Sequence, residues 1–174
     1  MSVAWITETV QYLTFRLDSE TFALEISKVR EVLDFTTVTK VPQTQDFMLG
    51  VINLRGSVVP VVDMRLKFGM SKAEATVNAC IIIVEIELDG EITVLGALAD
   101  SVQEVLEIPP DQIEPPPRIG TGLNTQFIRG MGHHGAQFII ILDIDKVFSA
   151  EELAVRQAIG IETPVPEEAA SEAM

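Results

Sequence analysis

A chain of 174 residues that is 47% hydrophobic and 22% charged can bury a packed core, and global disorder is excluded. Its formal charge of −14 at pH 7, with no Lys/Arg cluster to offset it, repels phosphate backbones and anionic lipid and so excludes nucleic acid and polybasic membrane docking. The single cysteine, Cys80, allows no internal disulfide and no multi-cysteine zinc site, and is expected to be a small buried hydrophobe.

The N-terminus has neither the basic region nor the apolar stretch of a signal peptide, so the expectation is a soluble, cytoplasmic chain. Residues 11–17 then alternate, with Tyr12, Thr14 and Arg16 on one face and Leu13, Phe15 and Leu17 on the other. Asp18-Ser19-Glu20 reads as a turn and residues 22–26 as the returning strand. Residues 29–39 form a third strand. Residues 50–54 and 58–62 form a hairpin about Arg55-Gly56-Ser57, and 63–68 a single helical turn. After a link over 69–77, the order repeats: 79–88, the Asp89-Gly90 turn, 91–99, then 102–108. Asp-Gly between two apolar runs is a strong hairpin signal. Five prolines make 109–118 a stiff loop. A last hairpin, 127–131 with 137–142, is followed by a helical turn at 143–148. Ser149-Ala150-Glu151-Glu152 forms a capping box for a helix over 150–159, and 160–174 is an acidic, disordered tail.

The order repeats because the unit is duplicated. The segment 17–24 matches 88–95 at an offset of 71, and 29–33 matches 102–106 at 73. Phe47, Gly50, Asp63 and Phe68 match Phe127, Gly130, Asp143 and Phe148 at 80. Short strands with glycine turns at this spacing point to small all-β barrels. Each half is near the size at which a single core is marginal, so the two are expected to share one.

Signs of chemistry are few. Gly130-Met131-Gly132-His133-His134-Gly135 fits the dinucleotide-binding spacing, but that motif needs a helix after it, and here a strand follows. His133 and His134, the only histidines, are read as solvated turn residues; a small-molecule or metal site on the Gly130–Gly135 turn is the alternative. No nucleophile stands in a supportive context and there is no P-loop, so an enzyme is not expected. Interaction surface remains. Arg55, on a hairpin turn, can grip a partner's carboxylate with two bonds or pair with one of the chain's own acids. Val29-Arg30-Glu31-Val32-Leu33, with charges and apolar groups interleaved, is the other candidate.

The segments 12–17 and 22–32, the run Phe47-Met48-Leu49-Gly50-Val51-Ile52-Asn53-Leu54-Arg55-Gly56, and Val58-Val59-Pro60-Val61-Val62-Asp63-Met64-Arg65 together resemble the CheW family of chemotaxis coupling proteins. The resemblance spans roughly 8–158 and implies two SH3-like five-stranded β-barrels sharing a core, one about 11–68 and the other about 78–148, with a short C-terminal helix. It implies a non-catalytic adaptor without cofactor or metal. Its partners would be methyl-accepting chemoreceptors and the regulatory domain of the histidine kinase CheA, and its place the receptor arrays at the inner face of the membrane. An adaptor of the same fold in a non-swimming receptor–kinase pathway is a further alternative. Carried over by motif, Val29, Glu31, Gly50, Asn53, Leu54 and Arg55 fall on the receptor- and kinase-facing surface. Ile113, Glu114, Arg118 and Ile119 fall on a second kinase contact. There the acid Glu114 and the base Arg118 reverse the usual signs, and His133-His134 replaces a more apolar turn.

Overall fold

A computed structural model of the chain describes residues 9–42, 46–70, 76–88, 90–116 and 127–148. The helix expected over 150–159, the tail over 160–174 and the middle of the link, 71–75, lie outside the described residues. Among the described residues eleven strands are formed: β1 Val10–Leu17, β2 Glu20–Glu25, β3 Val29–Asp34, β4 Met48–Leu54, β5 Ser57–Asp63, β6 Cys80–Leu88, β7 Glu91–Ala99, β8 Ser101–Ile108, β9 Ile113–Glu114, β10 Ile128–His134 and β11 Gln137–Leu142. Single helical turns, α1 Met64–Lys67 and α2 Ile144–Val147, follow β5 and β11. The fold is all-β, as the wealth of Val and Ile with turn residues between predicts.

The strands form two sheets, ordered β8-β1-β2-β11-β10-β9 and β3-β6-β7-β5-β4. Under the duplication these orders are the same but for β9, which extends the first sheet by one strand. β1 corresponds to β6, β2 to β7, β3 to β8, β4 to β10 and β5 to β11. Each sheet returns on itself through the continuation of its third strand. Beyond β3, Thr39 exchanges both backbone bonds with Val51 of β4, at 2.9 and 2.8 Å. Beyond β8, β9 pairs with β10.

The division into barrels at 11–68 and 78–148 is corrected by this topology. The β1–β2 hairpin sits among strands of the second half, and the β6–β7 hairpin among strands of the first. The joins are parallel ladders, Ile140 beside Phe22 and Val61 beside Gly96. Local turn signals reveal antiparallel neighbours, but a parallel pair needs a long crossover and leaves no mark at a turn.

The repeat itself is present in the registers. A bulge lies between Met48 and Gly50 opposite Val62 and Val61, and another between Ile128 and Gly130 opposite Leu142 and Ile141, each residue 80 on. The match of Leu17 to Leu88 is off by two. Phe15 pairs with Phe22 and Val84 with Leu95, which sets Leu17 against Ile86. The second hairpin is longer, and the turn-based alignment absorbed the difference at its tip.

β1 is buried on both faces. Tyr12 enters the interior of one barrel with Ile108, Ile113, Ile139 and Ile141. Leu13, Phe15 and Leu17 face a larger core between the barrels, shared with Phe22, Val62, Ile82 and Met64. The other barrel holds Ile52, Val59, Val61, Ile81 and Ile83. Cys80 is half-buried rather than buried, with its Sγ donating to the Asn78 carbonyl at 3.3 Å.

A line of phenyl rings crosses the shared core: Phe15, Phe22, Phe68 and Phe127 follow at centroid spacings of 5.9, 5.8 and 5.8 Å. The Lys67 ammonium lies 5.2 to 5.6 Å from the rings of Phe47, Phe127 and Phe148, contributed by both halves. Two polar ties join the barrels at equivalent places with opposite charge. Arg65 donates to Asp100 at 2.6 Å, and Asp100 also accepts the Asp18 amide. Eighty residues on, Asp145 accepts from Lys28 at 2.7 Å and from the Glu87 amide at 2.8 Å.

Candidate functional site

The β4–β5 turn is built to present one side chain. Leu54 pairs with Ser57, leaving Arg55 (φ +50°) and Gly56 (φ +89°) between them. Two successive residues at positive φ make the tight turn whose twist suits a hairpin. Asn53 completes it by accepting the Gly56 amide on Oδ1 at 2.7 Å. Arg55 thus projects outward, with 70% of its side chain exposed.

Its guanidinium meets Glu31 of β3 with both ends. Nη1 donates to Oε1 at 3.3 Å and Nη2 donates to Oε2. The hydrogen bond from Arg55 holds the Glu31 carboxyl below the ordinary glutamate value, and the same bond raises Arg55. Of the two readings of Arg55, pairing with an acid of its own chain is thus realised, and the acid is the other charged residue singled out in the sequence. A bulge between Val29 and Glu31 carries Arg30 away to Glu85 of β6, at 3.0 Å.

The apolar members of the set lie on either side of this pair. Val29 packs against the shared core, whereas Leu54 packs against the interior of the barrel that contains it. Gly50 is buried and acts on the backbone: a Cβ there would lie 2.0 Å from the Thr39 carbonyl oxygen, at the bond that closes the barrel. Three apolar side chains stand exposed on the same strands or just beyond them: Val32, which belongs to the candidate run on β3, and two not proposed from the sequence, Phe35 beyond β3 and Val58 beside Asn53 on β5. Val32 and Val58 lie one residue from charged or turn positions, and alternation could have marked them as outward-facing.

The second set is less uniform. Ile113 is fully buried inside its barrel and supports β9 from within. Glu114 is exposed, and its Oε2 lies 2.6 Å from Nε2 of His133 on β10. Arg118 and Ile119 lie outside the described residues. His133 is therefore a strand residue with a carboxylate partner, which corrects its reading as a solvated turn histidine. Gly130 to His134 belong to β10, Gly135 turns at φ +64°, and β11 follows with no helix on which a pyrophosphate could rest. Among the described residues no three His, Cys, Asp or Glu side chains gather where a metal ion could sit. Among them too, no helix is long and apolar enough to cross a membrane.

Comparison with known proteins agrees with this architecture. The family profile described as the CheW-like domain matches residues 11–152. The chain is 36% identical over 150 residues to the chemotaxis protein CheW of Klebsiella aerogenes, covering 85% of this chain and 88% of that protein. It is 34% identical over 142 residues to that of Rhizobium meliloti, covering 82% and 89%. The crystal structure of the scaffolding protein TtCheW from Thermoanaerobacter tengcongensis superposes with a TM-score of 0.73 at 35% identity, over 83% of this chain and 90% of that one.

Proposed function

The chain belongs to the CheW family of chemotaxis proteins, and on that premise we propose that it is a non-catalytic adaptor that couples chemoreceptor tips to the histidine kinase CheA. The observation that carries the reading is the Glu31–Arg55 pair. A two-bond ion pair on an exposed turn, with exposed Val32, Phe35 and Val58 on or just beyond the strands that carry it, suits recognition of a helical partner. The apolar side chains supply contact area, and the charges at the rim fix register. Val29, Leu54 and Asn53 support that surface, and Gly50 sets the strand beneath it. The kinase's regulatory domain docks elsewhere, through Glu114, Arg118 and Ile119 with Ile113 as the buried support.

Such an adaptor acts by bridging. Holding receptor and kinase on one rigid body raises their effective concentration and places the kinase under receptor control. It works in the cytoplasm, held at the inner face of the membrane by the receptors themselves. It needs no cofactor, and the net charge of −14 keeps it soluble and away from anionic lipid.

The test is retention of the protein on immobilised receptor tips. Arg55→Glu, in a protein whose melting temperature is unchanged, is expected to lose that retention. Equal retention of variant and parent would overturn the assignment of this turn to receptor contact.

A further inference from the structure

The second barrel carries a contact that its twin lacks. His133 occupies the position on β10 that Asn53 holds on β4: Asn53 pairs with Val58, and His133 with Phe138. Asn53 bonds its own turn, whereas His133 reaches across to β9 and meets Glu114 at 2.6 Å. A carboxylate has no proton to give, so at this separation Nε2 is the donor. The ring also packs against Phe138, with centroids 4.7 Å apart, and Phe138 is 53% exposed. β9 is held to β10 by two register pairs only, and the prolines at 115–117 have no N–H with which to lengthen that ladder.

The inference rests on the reading of Glu114 as part of the second kinase contact: we propose that His133 competes from within the chain for the Glu114 carboxylate, so that its charge sets how freely Glu114 can meet a basic side chain of the kinase. With the imidazole charged, the bond is charge-assisted and Glu114 is held; with it neutral, the bond weakens and Glu114 is released. An imidazole carries its charge only while protonated, so the contact tightens as pH rises. Among the described residues, few other groups bear on this ring. β9 presents Glu114, and β11 presents Phe138 and Gln137, which carry no charge. On β10, His134 is the chain neighbour and Arg129 is bound to Glu25 at 2.8 Å.

The test measures affinity of the full chain for the regulatory domain of the host's CheA between about pH 5.5 and pH 8. An exposed ion pair predicts a wild-type affinity that rises by about two- to fivefold across that range. His133→Gln, which donates without a titrating charge, is expected to be tight throughout. His133→Lys, charged throughout, is expected to be weak throughout. A slope in His133→Gln equal to that of the wild type, or no slope in either, would overturn the inference. If the wild type binds no kinase domain at any pH, the kinase reading fails instead. The pairing is then decided by the Glu114 carboxyl carbon shift in NMR: titration in step with the His133 ring, lost in His133→Gln, upholds it, and independent titration ends it.

Discussion

Gly50 and Thr39 stand so close that a single added methyl group at Gly50 would overlap the Thr39 carbonyl, 2.0 Å away. The approach lets Thr39 and Val51 bridge and close one barrel. Gly50 also holds φ at +149°, a conformation that side chains resist. Gly50→Ala is therefore expected to cost at least about 2 kcal/mol of stability. Urea unfolding would show this as a lower midpoint, and an unchanged midpoint would refute the account.

The lowered Glu31 carboxyl gives a pH dependence with a definite sign. A carboxyl whose folded value lies below its unfolded one adds stability that is present above the unfolded value, near 4.5, and is lost as pH falls through the folded value. Unfolding followed from pH 7 downward should therefore show a steeper loss below about pH 4.5 for the parent than for Glu31→Gln. Arg55→Ala should return the Glu31 titration, read by carboxyl NMR, toward the ordinary glutamate range. No movement would mean that Arg55 is not its cause.

Lys67 places its ammonium near three rings from both halves of the chain. Cation–aromatic attraction in a partly buried setting is worth about 1–2 kcal/mol. Lys67→Met, which keeps the bulk and removes the charge, should lose about that amount in thermal or chemical unfolding. Lys67→Ala should lose more, because the stem also packs. Equal stability of Lys67→Met and the parent would show that the rings are held by packing alone.

The exchange of hairpins predicts how the chain behaves when cut. A fragment of residues 1–70 has β1 and β2 without β8, β10 and β11, and β5 without β7. A fragment of residues 76–174 has the converse deficit. Each alone should give the poorly dispersed amide spectrum of an unfolded chain, and the equimolar mixture a native one. Independent folding of either fragment would contradict the sheet order.

Much of the fold was legible because its evidence is local. Alternation placed the long strands, Asp-Gly and Arg-Gly marked hairpins, and the offset of 80 between Gly50 and Gly130 holds down to the bulge beside each. Two things were hidden. The parallel joins of β5 to β7 and β11 to β2 bring together residues with no turn between them. Partners that stand far apart in the chain were hidden too. Glu31 and Arg55 were each singled out, but nothing in their spacing of 24 shows that they would meet. His133 and Glu114, 19 apart, looked unrelated because the strand that joins them, β9, has two residues and precedes a run of prolines.

The core between the barrels also bears on how stiff the molecule is. To open a hinge between the barrels, the chain would have to part the core they share, expose the phenyl rings in it and break the ties of Arg65 to Asp100 and Lys28 to Asp145. Bending of that kind is far costlier than the modest free energies at play when a ligand shifts a receptor. On the proposed reading, a displacement felt at the Arg55 end would therefore be handed to the Glu114 end without slack, as through a strut rather than a spring.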